Sequence, residues 1–229
     1  FDYYRDLVSE IRLDVALDGD DNVGHEQPFG FYVNILHTPE IERESGGFGK
    51  YAQNQNSMMR AYNYGRPTED YRDKFSESVS QALEEHFEIL NITFQSPSTM
   101  QSRSTSEPEW RVTPYAYVLV KPRGPEVDRV PPLQLNLDFL DTSGYVVIPV
   151  ESPAVVIDAS DPQGTARPIE DLQITQTLDE RQAEDGKLIV EVSATGKGLI
   201  PQLEDLIDLE REDFELVSVD DQGVLPTAF

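Results

Sequence analysis

Nine residues near the start of the chain, Asp18-Gly-Asp-Asp-Asn-Val-Gly-His-Glu26, gather four carboxylates and an amide oxygen. Hard divalent cations need several such oxygens converging from one loop. Asp18, Asp20, Asp21, Asn22 and Glu26 are therefore the candidate metal ligands, and calcium is the candidate ion. The spacing departs from an EF-hand: Val23 stands where the sharp turn needs glycine, and Phe29 where the bidentate glutamate belongs. An acidic hairpin turn accounts for the same residues without a metal.

Other groups with chemical potential are less specific. Glu204–Asp221 holds nine acids and one arginine, a block that could bind calcium at its turns or dock a basic partner. Such blocks are usually solvated faces. His25, His37 and His86 show no spacing that a zinc site or a general base beside a nucleophile would require. Asp141-Thr-Ser-Gly144 resembles the catalytic loop of aspartic proteases, but it carries an extra residue and has no second copy, so a hairpin turn is expected. Gly46-Gly-Phe-Gly-Lys50 lacks the first glycine of a P-loop (Glu44) and its hydroxyl (Tyr51), and Glu40, Glu42 and Glu44 would repel phosphate. Asn91-Ile-Thr93 fits a glycosylation triplet inside a strand expected to be buried.

These groups sit on a strongly acidic background, 43 Asp and Glu against 18 Lys and Arg, for a formal charge of -25. Residues 1–125 carry 20 acids and 12 bases (net -8), and residues 126–229 carry 23 and 6 (net -17). A surface this negative repels phosphate backbones and anionic lipid headgroups, so nucleic acid and direct contact with an anionic membrane are disfavoured and a protein partner is expected. There is no cysteine, which removes disulfides, zinc-cysteine sites and thiol catalysis. No run reaches the length of a membrane helix. The chain opens at Phe1 and closes on an apolar Leu225-Pro-Thr-Ala-Phe229 tail, which reads as a piece of a longer protein. Acidity with strand-rich patterning points to an extracytoplasmic setting, periplasmic or cell-surface.

The elements that must position these residues are mostly strands. Ile11–Leu17 alternates, Phe29–Leu36 is apolar, and residues 40–66 read as a long surface loop. Thr68 can cap a helix over about 68–87, whose apolar stripe is Tyr71, Phe75, Val79, Ala82 (with Leu83) and Phe87. Strands follow at 88–94 and 110–121, separated by a polar loop from Gln95 to Glu109. Pro122-Arg-Gly-Pro125 and Pro131-Pro132 bracket an extended connector, the expected domain boundary. Leu133–Phe139 and Tyr145–Val150 form a hairpin about the Asp141–Gly144 turn. Beyond Pro168, short alternating strands recur with turn signals between them, the rhythm of an immunoglobulin-like sandwich.

Strand Leu172–Leu178, a turn, strand Lys187–Ala194 and then Gly196-Lys-Gly-Leu-Ile-Pro-Gln-Leu203 resemble the start of an Ig-like domain in Bacteroides aerotolerance D-type envelope proteins. The likeness spans residues 168–220. It implies an extracytoplasmic, membrane-tethered scaffold without catalysis, and it brings no functional residues with it.

The expectation is thus a β-rich α+β chain: residues 1–125 as an N-terminal sheet with one main helix, and residues 126–229 as an Ig-like β-sandwich unit. The leading function is a non-catalytic interaction or scaffold module of a larger extracytoplasmic bacterial protein. A hydrolase or carbohydrate-active enzyme using a pair of the many carboxylates is the alternative. A calcium-dependent adhesion module is a third.

Overall fold

The computed structural model describes residues 2–41, 71–96, 100–141, 144–165, 169–179, 189–198, 215 and 217–218. The chain divides into a unit spanning Phe1–Ala166 and a second spanning Arg167–Thr227. It is strand-rich, with several antiparallel sheets and few helices.

A short helix, α1 (Asp2–Ser9), leads into β1 (Ile11–Leu17). Period-two patterning buries Ile11, Leu13 and Val15 on one face of that strand. Strand β2 (Phe29–His37) pairs antiparallel with β1, and its inward series is Phe29, Phe31, Val33, Ile35 and His37. Beyond the main helix, α2 (Tyr71–Leu83), come β3 (Phe87–Phe94), β4 (Arg103–Ser104) and β5 (Arg111–Pro122). The sheet order is β1-β2-β5-β3, with β4 also paired to β5. The long central strand β5 is buried from Thr113 through Val120, as a strand with neighbours on both edges should be.

Helix α2 presents Phe75, Val79 and Leu83 to the core, one residue per turn, each at most 2% exposed. Of the expected stripe, Phe75, Val79 and Leu83 are buried and Ala82 is half-buried, but the helix does not reach residue 87. Residues 84–86 form a turn, with the His86 N–H donating to the Leu83 carbonyl at 3.0 Å. Phe87 instead opens β3, opposite Pro122, with its ring edge-on to Phe29 at 6.1 Å. Its side chain faces the core from either backbone conformation, which is why helical spacing alone absorbed it. The proposed cap Thr68 and the long loop at 40–66, apart from Glu40 and Ile41, lie outside the described residues.

The loop expected from Gln95 to Glu109 is partly built. Arg103 and Ser104 pair with Val112 and Arg111, and the Thr105 hydroxyl donates to the Trp110 carbonyl at 3.0 Å. The connector after Pro122 is also structured. Strand β6 (Arg129–Val130) pairs with β9 (Val155–Val156), flanking the hairpin of β7 (Gln134–Asp141) and β8 (Gly144–Glu151).

Val127, Val130, Leu133, Leu135, Leu137, Ile148, Val150 and Ile157 join the same core as β1, β2 and α2. The boundary expected at residue 125 therefore falls within the first unit. The prolines make the connector extended, but its apolar residues are buried. In the second unit the described ladder is β10 (Glu170–Asp179) paired antiparallel with β11 (Ile189–Lys197). Strands expected after residue 198 lie outside the described residues.

Candidate functional site

The acidic loop that carries the metal expectation runs from β1 to β2 and docks on residues 158–165. Val23 and Gly24 N–H groups both donate to the Asp158 carbonyl, at 2.9 and 3.3 Å, and the Asp158 N–H donates to the Asp21 carbonyl at 2.7 Å. His25 and Glu26 N–H groups reach the carbonyls of Asp161 and Pro162, and the Thr165 N–H reaches that of Asn22. His25 Nδ1 lies 2.8 Å from the Ala159 carbonyl, an acceptor only, so that nitrogen carries the proton. Gln27 Nε2 donates to the Val23 carbonyl within its own loop and, across the seam, to the Gly164 carbonyl. The two loops form a clasp.

Within the clasp the five candidate ligands have separate tasks. Asp18 Oδ2 accepts from the Tyr117 hydroxyl at 2.9 Å. Asp20 accepts from the Asn22 N–H at 3.1 Å, closing an Asx turn, and from the Thr165 hydroxyl at 3.3 Å. Asp21 and Asn22 contribute backbone groups, and the Glu26 N–H donates to Pro162. Among the described residues, no group of three or more His, Cys, Asp or Glu side chains is arranged to hold a metal ion.

Asp158 shows how the clasp tunes one carboxylate. The Ser160 hydroxyl donates to its Oδ1 at 2.6 Å and the Ser160 N–H at 3.0 Å, and these bonds hold the carboxyl below its ordinary value. A carboxylate with a lowered folded pKa stabilises the fold above its unfolded pKa, and that contribution is lost as pH falls through the folded value. Replacing Ser160 with alanine should raise the Asp158 pKa toward that of a free aspartate. The acid limb of unfolding should then start at higher pH. Carbonyl-detected NMR titration of Asp158 reads this directly, and an unmoved midpoint would exclude the hydroxyl as the cause.

A second constellation lies at the end of β2. His37 is the inward position after Ile35, and it is fully buried. Its Nδ1 stands 3.2 Å from the Thr38 carbonyl. A carbonyl only accepts, so the neutral imidazole carries its proton on Nδ1 and turns the Nε2 lone pair inward. Thr113 Oγ1 lies 2.9 Å from Nε2 and Ser102 Oγ 3.3 Å, with 2.9 Å between the two hydroxyls. Thr113 is fully buried and Ser102 is half-buried. Beside this cluster, Thr38 Oγ1 is a buried atom with no hydrogen-bond partner.

A third feature is the β10–β11 ladder. Cross-strand pairs Ile174–Ala194, Gln176–Val192 and Leu178–Val190 share one face, to which Leu172 also belongs by alternation. The opposite face holds Gln173–Thr195, Thr175–Ser193 and Thr177–Glu191, with the Thr175 and Ser193 hydroxyls 2.6 Å apart. The apolar face is open: Leu172, Ile174 and Leu178 are 41%, 50% and 49% exposed. A bulge between Glu170 and Gln173 puts Asp171 at φ 54°, where Lys197 reaches it at 2.7 Å.

The chain matches no family model, no curated protein and no solved structure. Its features must therefore speak for themselves. The carboxylate loop was visible in the sequence, but its partners at Tyr117 and residues 158–165, distant along the chain, were not. His37 carried a usable signal, since it continues the inward parity of Val33 and Ile35. Ser102 carried none, because it sits in a stretch without periodicity. His86 lies exposed in the α2–β3 turn, and the Gly46–Lys50 and Glu204–Asp221 segments lie outside the described residues, Glu215, Val217 and Ser218 excepted. Asn91 is exposed, on an edge strand, not buried as its apolar neighbours implied; its amide donates to Thr93 Oγ1 at 3.2 Å.

Proposed function

We propose that this chain is an interaction or scaffold module of a larger extracytoplasmic protein, and that the apolar face of the β10–β11 ladder is its contact surface. The observation that carries this reading is the open row of Leu172, Ile174 and Leu178 on a ladder of two strands among the described residues. Such a ladder is marginal in water alone and gains stability when its hydrophobic face is covered. Apolar and polar residues alternate along both strands, which leaves one face that a partner can cover as the facing sheet does in a β-sandwich. Residues 167–227 carry 16 acids and 5 bases, net -11, which steers encounter away from nucleic acid and anionic membranes.

Photo-crosslinking tests the assignment without knowing the partner beforehand. A photoreactive amino acid at position 174 should give a discrete crosslinked product in the native host. The same probe at position 175, on the polar face, should not. Equal yields at both positions, or no product at 174, would remove the face from consideration.

A further inference from the structure

We infer that Ser102 is an activated hydroxyl with His37 as its base, a nucleophile for small esters and related acyl donors. With Nδ1–H committed to the Thr38 carbonyl at 3.2 Å, the Nε2 lone pair can only accept, and among the described residues the hydroxyls of Ser102 and Thr113 face it. A nucleophile within reach of a base that a third group orients is the arrangement nucleophilic catalysis needs. Thr113 is fully buried, so Ser102 is the hydroxyl of this pair that an outside electrophile can meet. Thr113 acts as a positioning residue: at 2.9 Å from both Ser102 Oγ and Nε2, it can hold the serine oxygen or relay its proton.

The step balances without a cofactor. Ser102 Oγ attacks the ester carbonyl carbon as its proton passes to His37 Nε2. The ester C–O bond then breaks, and the leaving alkoxide takes that proton from Nε2. Water attacks the acyl-serine by the same route, releasing the acid and restoring the hydroxyl. The enclosed imidazole cannot share a positive charge with bulk water, so the proton must move on promptly. This site lies in the first unit and does not depend on the β10–β11 contact face. It gives the hydrolase expectation a serine–histidine basis in place of paired carboxylates.

A fluorophosphonate is the probe: Oγ–P forms, P–F breaks, fluoride leaves and the serine proton goes to Nε2. Peptide mapping of the full chain should place the label on Ser102 at least ~10-fold above Ser9 and Ser78, whose hydroxyls donate only to backbone carbonyls. Ser102→Ala should abolish that label, and His37→Gln, confirmed folded by circular dichroism, should slow it by about 100-fold. Labelling of Ser102 no faster than Ser9 and Ser78 overturns the inference, even if the histidine variant fails to fold. Undiminished labelling in a folded His37→Gln protein overturns it as well.

Discussion

Phe75→Ala should lower the unfolding free energy by about 3–5 kcal/mol, the range for deleting a well-packed core phenylalanine. Phe75 is 2% exposed and joins α2 to the sheet through an edge-to-face triad. Its ring meets Tyr115 at 5.2 Å and 87° and Phe94 at 6.1 Å and 76°, and those two meet each other at 5.8 Å. Truncation opens a cavity on three sides and removes two ring contacts that each contribute roughly 0.5–1.5 kcal/mol beyond area burial. Denaturant unfolding should show a lower midpoint with an unchanged slope, the signature of lost stability rather than a changed ensemble. Glu77→Ala, on the exposed side of the same helix, should stay within about 0.5 kcal/mol. A loss below about 1 kcal/mol for Phe75→Ala would mean that α2 is not seated on this sheet.

The second large effect is expected in the clasp. A Cβ on Gly164 would collide with the Asn22 carbonyl oxygen and the Val23 carbonyl carbon, and one on Gly24 with the Gly164 backbone nitrogen. All these obstacles are main chain, so no side chain can swing aside. Gly24 also has φ 67°, which disfavours any residue with a Cβ. Gly164→Ala or Gly24→Val should each cost roughly 3 kcal/mol, at the upper end of overpacking penalties. The clasp should open before the sheet does. Amide exchange at Val23, His25, Glu26 and Thr165 should accelerate while β2 and β5 stay protected. Gly30→Ala provides the contrast, because its Cβ meets the outer end of the Tyr117 ring. That ring can rotate away at the loss of its bond to Asp18, so a smaller cost of about 1–2 kcal/mol is expected. Equal penalties at Gly164 and Gly30 would contradict a main-chain clasp.

The comparison of sequence with structure divides by distance along the chain. β1, the β7–β8 hairpin and the β10–β11 ladder were legible because alternation is local. The start of the α2 stripe was legible for the same reason, and its end was not, since Phe87 satisfies helix and strand spacing alike. The connector after Pro122 misled through composition. Prolines and a charge step near residue 125 resemble a linker, yet Val127, Val130 and Leu133 are buried. Charge reports what solvent sees, and it is silent on which apolar residues share a core. The His37–Ser102–Thr113 cluster joins residues 76 and 65 positions apart, and no local pattern encodes such a meeting.

The clasp also sets an order of events during synthesis. The Gln27–Gly164 bond joins residues 137 positions apart. At about 5–20 residues per second, a ribosome needs roughly 7–30 s to supply the second loop after the first has emerged. For that interval the β1–β2 connection exists without its mate, and the two carbonyls and four N–H groups that residues 21–26 commit to the seam are solvated by water alone. Four carboxylates over residues 18–26 keep the waiting segment hydrated and repel like segments on neighbouring nascent chains. The seam can close only once residues 158–165 have emerged.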